Sequence, residues 1–435
     1  MRTLFFNCTA VLMDAACTIL PGAYVAVEGH RILSVGTSRP EGAFDQTLDG
    51  RGNVLLPGLV NAHTHVPMTL LRGYGDGHGL QDWLNNYIFP VEAKLDSRAV
   101  RAGTALGLAE MIAAGTTTIA DMYYFCDDIA EETVAAGLNL NLARGTTVFT
   151  PDFDFATYPA CVELRALRER WHGYGDGQVL VDACIHGEYT SCLAPGFWSS
   201  VADYAAANGL GMHVHVSETL SEHEECIARH GKTPIQVLKE YGVWDVRAIA
   251  AHCVHTTPED WAVMAEKRVS CVHNPSSNLK LGSGIAPISA MRKAGVNVAL
   301  GTDGVSSNNS HDLFEAIKLA VLLQNGTARD PLALSAWEAL RMATADGAKA
   351  LGRRTGQIAP GYDADLILVD FSRPNLTPCH DVASNLVYAA RGSDVVMNMA
   401  RGKLIYKDGD FLTLDLDRIR REVSDYAIPK LFGVK

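Results

Sequence analysis

Between residues 59 and 303 the chain alternates eight short apolar, β-branched runs with longer Ala-rich stretches, and this alternation limits the fold more than any other feature. The runs are 59–65, 116–123, 138–145, 179–186, 210–216, 247–252, 268–273 and 297–303. Runs of this length read as strands, and near-continuous apolarity suits strands covered on both faces. The stretches between them, such as 97–115, 194–209, 221–241 and 311–325, repeat apolar residues at i, i+3 and i+4 and predict helices. Strand then helix, repeated, implies parallel βαβ units. Eight units over about 310 residues suit an α/β fold closed as a (β/α)8 TIM barrel better than an open sheet.

The two ends read differently. Residues 24–28 and 31–35 flank Gly29-His30 as a hairpin, and short strands return at 365–369, 395–399 and 403–406. A helix is expected over roughly 415–428. The spacing therefore predicts a small β-sandwich built from residues 1–56 and 361–435, with the barrel, 57–360, inserted between them.

Charge and cysteine usage narrow the setting. There are 37 Lys plus Arg against 49 Asp plus Glu, a net charge of −12, which disfavours nucleic acid or an anionic membrane as partner. No stretch of 18 apolar residues offers a transmembrane helix, and the first residues lack the apolar core of a secretory signal. The 10 cysteines are scattered without a C-x-x-C pair, so they read as free thiols in a reducing compartment, and a cytoplasmic protein is expected.

Histidines fall where a barrel would use them. His63 and His65 end the first run, His213 and His215 the fifth with Glu218 just beyond, His252 ends the sixth and Asp303 the eighth. In a parallel barrel these strand ends converge on one face, where such enzymes keep their active sites. His63, His65, one of His213 and His215, His252 and Asp303 thus form a candidate centre for Zn²⁺, with Fe²⁺, Mn²⁺ or Ni²⁺ also suited to the donors. A carboxylate such as Glu218 beside metal-bound water is the arrangement expected for proton transfer in hydrolysis.

The run Leu-Leu-Pro-Gly-Leu-Val-Asn-Ala-His-Thr-His at 55–65 resembles the opening of the amidohydrolase superfamily. So do His-Val-Ser-Glu-Thr at 215–219, Ala-His-Cys-Val-His at 251–255, His-Asn-Pro-Ser-Ser-Asn-Leu-Lys-Leu-Gly at 273–282 and Gly-Thr-Asp-Gly at 301–304. With Ser-Ser-Asn-Asn-Ser at 306–310, these are most similar to the S-adenosylhomocysteine/5′-methylthioadenosine deaminases and their chlorohydrolase relatives. The resemblance implies one divalent metal, most simply Zn²⁺, on His63, His65, His215 and Asp303. It makes Glu218 the proton shuttle, gives His252 the orienting of the attacking water, and leaves His213 a supporting residue behind the site. Asp303 would also help to deprotonate that water.

The same resemblance implies that Trp83, Glu92, Arg144 and His186, together with Glu218, contact a purine nucleoside, Glu92 through the ribose diol and Arg144 near the 5′ substituent. The family's further arginine between the third and fourth strands has no counterpart, since Arg165 and Arg168 fall on a predicted helix. Phe149, Phe153, Phe155 and Tyr158 are expected to line the 5′ end instead, and His255 and His273 to shape the pocket. The implied activity is hydrolytic release of ammonia from adenine nucleosides by a homo-oligomer. Another amino- or chloro-substituted heterocycle (a triazine, guanine or pterin) is the alternative substrate.

Overall fold

A computed structural model describes residues 1–433. Eight parallel strands form one sheet in chain order: Leu59–Thr64, Thr116–Tyr123, Asn139–Arg144, Val179–Gly187, Gly211–Val216, Ala248–His252, Ser270–His273 and Val298–Leu300. All eight expected strands are present. Helices such as Ser97–Ala113, Pro195–Asn208 and Leu313–Ala328 cover the outside. The helix expected at 221–241 is two helices, Leu220–His230 and Pro234–Glu240. Gly231, at φ 68°, ends the first in a left-handed cap, and Thr233 opens the second with a capping box ahead of Pro234.

The eighth strand is short, and backbone and side-chain bonds just beyond it complete the closure against the first. Asp303 N–H donates to the His63 carbonyl at 3.0 Å. The Asn61 amide bonds both the Thr302 N–H (2.9 Å) and the Thr302 hydroxyl (2.7 Å). Gly301 permits this approach, because a Cβ there would lie 2.8 Å from the His63 carbonyl oxygen.

The terminal segments build a second, nine-stranded mixed sheet, with strands from Arg2–Val11 to Val54–Pro57 beside strands from Leu366–Val369 to Asp410–Phe411. The expected hairpin pairs Glu28 with Arg31. This sheet curls on itself: Ile32 N–H bonds the Tyr362 carbonyl (2.9 Å), and Ala364 N–H bonds that of His30 (2.8 Å). Phe5, Val25, Ile32, Leu55, Leu366 and Met399 share one buried cluster inside the curl. The two layers of the expected sandwich are thus two halves of one sheet. The C-terminal helical segment runs from Leu416 through Phe432, with a π-helical turn at Val423–Ala427, and extends past the expected end at 428. Among the described residues no helix is long and apolar enough to cross a membrane.

Candidate active site

Strand register places the ligand set. Residues two apart on a strand face the same side, so His63 and His65, and His213 and His215, all point their imidazoles into the barrel, His65 and His215 at its mouth and His213 beneath His63. His252 (φ 73°) and Asp303 (φ 60°) are non-glycine residues in the left-handed region. Such a conformation is costly and clusters at functional sites.

The donor atoms converge. Asp303 Oδ1 lies 3.5 Å from His63 Nε2 and 3.3 Å from His65 Nε2, and His215 Nε2 is 3.4 Å from His65 Nε2. Ligand atoms of His63, His65 and His215 all lie within 4.8 Å of one another, as do those of His63, His252 and Asp303. The far nitrogens are fixed by groups that can only accept. His65 Nδ1–H donates to the Met122 carbonyl (2.5 Å), His215 Nδ1–H to that of His186 (2.6 Å) and His252 Nδ1–H to Asn278 Oδ1 (2.8 Å). Each therefore presents a bare Nε2 inward, as ligating histidines do.

His63 differs, because its Nδ1 meets His213 Nε2 at 2.7 Å. His63 Nε2 is buried with no hydrogen-bond partner, an orphan that an inward cation would satisfy. With His63 donating from Nδ1, His213 must carry its own proton on Nδ1, which is also unpartnered. Three imidazoles and a carboxylate around one orphaned nitrogen fit a divalent metal ion.

Electrostatics follow from burial. Desolvation pushes His63 down to about 4 and His186 to about 3, so both are neutral at physiological pH. Burial opposes ionisation of Asp303, but the adjacent imidazoles of His63, His65 and His252 hold it well below the usual carboxylate range. Its Oδ2 also accepts from the Ser277 hydroxyl (2.6 Å) and the Ser307 hydroxyl (3.1 Å). Burial and the Asp303 charge raise Glu218. For His252 the desolvation is outweighed by the Glu218 and Asp303 carboxylates, which raise it. Glu218 Oε2 stands 3.7 Å from His252 Nε2, and its Oε1 is 3.4 Å from the Ser283 hydroxyl.

Above this ring opens a cleft of about 620 Å³. His65, His215, His252, Asp303 and Glu218 form its floor, and Trp83, Glu92 and His186 line its walls. Trp83 and Glu92 ride on the short helices Leu80–Trp83 and Phe89–Glu92, which follow the first strand. Glu92 accepts the Tyr123 hydroxyl hydrogen, and burial pushes its carboxyl up to about 7 against that bond.

Several residues stand elsewhere than expected. Arg144 borders a neighbouring side pocket, which shares Phe89, Glu92 and Tyr124 with the cleft. Phe149 points outward, 63% exposed; Phe153 packs on Phe197 and Phe155 on Tyr204; and Tyr158 donates to the Thr147 carbonyl. None of these four lines the cleft, because the loop after the third strand folds against the helix Pro195–Asn208. His255 instead backs the Ser283 carbonyl at 2.8 Å, and His273 is buried inside the barrel, also off the cleft wall. Arg165 and Arg168 lie on the helix Pro159–Trp171 as expected. The sequence reading passed over Tyr123, Tyr124 and Tyr189, which line the cleft. Tyr123 and Tyr124 sit where the second strand ends, so the strand-end rule that found the histidines would have found them too.

The sequence signature of the amidohydrolase family matches residues 54–405. The chain belongs to the amidohydrolase family. Within it, the chain is 41% identical over 429 residues to a 5-methylthioadenosine/S-adenosylhomocysteine deaminase of Caldanaerobacter subterraneus subsp. tengcongensis, covering 98% of each. It is 39% identical to a 5′-deoxyadenosine deaminase of Methanosarcina acetivorans, covering 97% of this amidohydrolase and 96% of the relative. Among solved structures, an adenosine deaminase from Xanthomonas campestris with bound zinc superposes with a TM-score of 0.93 at 33% identity, covering 99% of both chains.

Proposed function

We propose that this amidohydrolase is a metal-dependent hydrolytic deaminase that replaces the 6-amino group of adenine nucleosides with oxygen and releases ammonia. The observation that carries the reading is the pairing of two carboxylates across one cleft. Glu218 lies at the metal end beside His252, and Glu92 lies in the wall beside Tyr123. A carboxylate at the metal end suits proton transfer to a ring nitrogen; one in the wall suits the two hydroxyls of a ribose. The 5′-methylthioadenosine, S-adenosylhomocysteine and 5′-deoxyadenosine named for the relatives all carry both features.

His63, His65, His215 and Asp303 would hold the metal, and zinc is our choice for this donor set. A cation bound there acidifies water toward a pKa of about 7 and so supplies a nucleophile at neutral pH. The remaining work falls to the chain. His252, held by Asn278, orients the water, and Asp303 accepts a hydrogen bond from it. Glu218, whose protonated form is favoured by burial, donates to N1 while the water's oxygen bonds C6. Of the water's two protons, one goes to the amino group and the other returns to Glu218; C6–N breaks, C6=O forms, and one water is consumed per ammonia. Trp83 packs against the purine, and neutral His186 faces the heterocycle from the cleft wall.

The test is ammonia release by metal-analysed protein from adenosine, 5′-deoxyadenosine, 5′-methylthioadenosine and S-adenosylhomocysteine, set beside guanine, a pterin and an aminotriazine. Adenine nucleosides should lead by at least an order of magnitude in kcat/KM. Faster turnover of a heterocycle lacking ribose would remove the role given to Glu92.

A further inference from the structure

Beside the cleft, the side pocket opens as a groove of about 1430 Å³ and shares Phe89, Glu92 and Tyr124 with it. A ribose that reaches Glu92 lies against this shared wall. The groove is lined by one cation, Arg144, and four carboxylates, Glu92, Asp127, Asp128 and Glu163. Arg144 is already committed: it pairs with Glu163, donates to the Gly145 carbonyl, and lies over the Tyr124 ring at 4.9 Å. Its side chain is 16% exposed, whereas that of Glu163 is 55% exposed and projects from the helix Pro159–Trp171 over the groove. Arg165, on the same helix, turns away and bonds the Phe155 and Ala156 carbonyls, both at 2.7 Å.

We propose that this groove receives the 5′ substituent and that Glu163 determines what it accepts: neutral or amine-bearing groups, and not a free carboxylate. The inference rests on the nucleoside reading of the cleft. An anion entering the groove meets a guanidinium already neutralised by Glu163, with Asp127 and Asp128 themselves paired with Arg170 and Arg101, so its lost hydration has no replacement. An amine meets the opposite balance, with Glu163 reachable from solvent. Deleting the Glu163 charge frees Arg144 for a bidentate carboxylate contact.

The experiment uses the metal-loaded full chain and three adenosines that differ only at the 5′ sulfur: methylthio, aminoethylthio and carboxymethylthio. For the wild type, kcat/KM for the carboxymethylthio compound should fall at least tenfold below the other two. Glu163→Gln should narrow that gap by tenfold or more. Adding Arg144→Gln to Glu163→Gln should reopen it, since the gain comes from Arg144. A wild-type gap under threefold, or a Glu163→Gln ratio within twofold of the wild type, overturns the proposal. Calorimetric binding of the same three compounds to Glu218→Gln protein separates the two readings. Failure of the wild type to release ammonia from any of them overturns deamination alone, whereas equal affinities overturn the assignment of the groove alone.

Discussion

The metal ring and the side groove lie a few side chains apart, yet they are built on opposite plans. In the ring, the donors sit on strand ends, are almost fully buried, and have their far nitrogens tied to fixed partners: Met122, His186, His213 and Asn278. In the groove, Arg144 and Glu163 are a strand residue and a helix residue held mainly by each other, with Glu163 half in solvent. A ring of this kind tolerates no change in geometry, because every imidazole is needed in one tautomer. A paired groove can change its preference through one substitution while the chemistry beneath it stays intact.

Substitutions in the ring should therefore be the most damaging, and they should divide by whether metal is lost. Asp303→Ala is expected to remove both metal and turnover, because Asp303 supplies the one anionic oxygen among the donors. Glu218→Gln should keep full metal content yet lose at least about 10²-fold in kcat, the usual cost of one acid–base group. Metal analysis beside steady-state rates checks both. If Asp303→Ala kept its metal, or Glu218→Gln lost it, the two carboxylates would have to exchange roles.

One layer behind the donors the effect should be smaller. His213→Phe keeps a ring of similar volume but leaves His63 Nδ1–H without its acceptor. Metal affinity should fall about 10–100-fold, as for other residues that orient ligands. Competition with a chelator would read the change. An unaltered affinity would mean that barrel packing alone orients His63.

Crossing from ring to wall, the next effect is one of pH. Glu92 must be ionised to accept two hydroxyl hydrogens, and burial holds its carboxyl up at about 7. Substrate affinity should therefore improve as pH rises through 7, with KM falling about tenfold between pH 6 and 8. His63 and His186, near 4 and 3, do not titrate in that window. Glu92→Gln should abolish the slope in KM. A slope that persists in this variant would assign it to another group.

The same contrast explains what the sequence could tell. Strand ends were legible because period two and parallel topology together fix which side chains meet, so His63, His65, His215, His252 and Asp303 converge as expected. The terminal strands were legible from their turns, as at Gly29-His30, but not the curling of one sheet into two layers, which depends on remote bonds such as Ile32 to Tyr362. The break at Gly231 to Pro234 was written in the sequence, but a continuous apolar period masked it. Loop side chains were least legible. Phe153 and Phe155 are apolar and near the site in sequence, yet their partners Phe197 and Tyr204 come from the next helix, and no local pattern shows that.

Arg165 should give the smallest effect, and it bears most directly on the contrast. It sits six residues beyond the start of the helix Pro159–Trp171, close enough in sequence to stand in for an arginine at the 5′ end. Its guanidinium is occupied instead: both terminal nitrogens bond backbone carbonyls, and its carbon lies 5.5 Å from the centre of the Phe155 ring. Arg165→Gln should therefore cost about 1–2 kcal/mol of stability, as expected for lost hydrogen bonds to a charged donor, visible as a lower Tm. It should leave the kcat/KM ratio of S-adenosylhomocysteine to 5′-methylthioadenosine within twofold of the wild type. Discrimination is a ratio, so a residue that only anchors a loop lowers both terms together and leaves it unchanged. A tenfold shift in that ratio would place Arg165 against the substrate, and the task of reading the 5′ end would pass from the Arg144–Glu163 pair to the loop that Arg165 now holds.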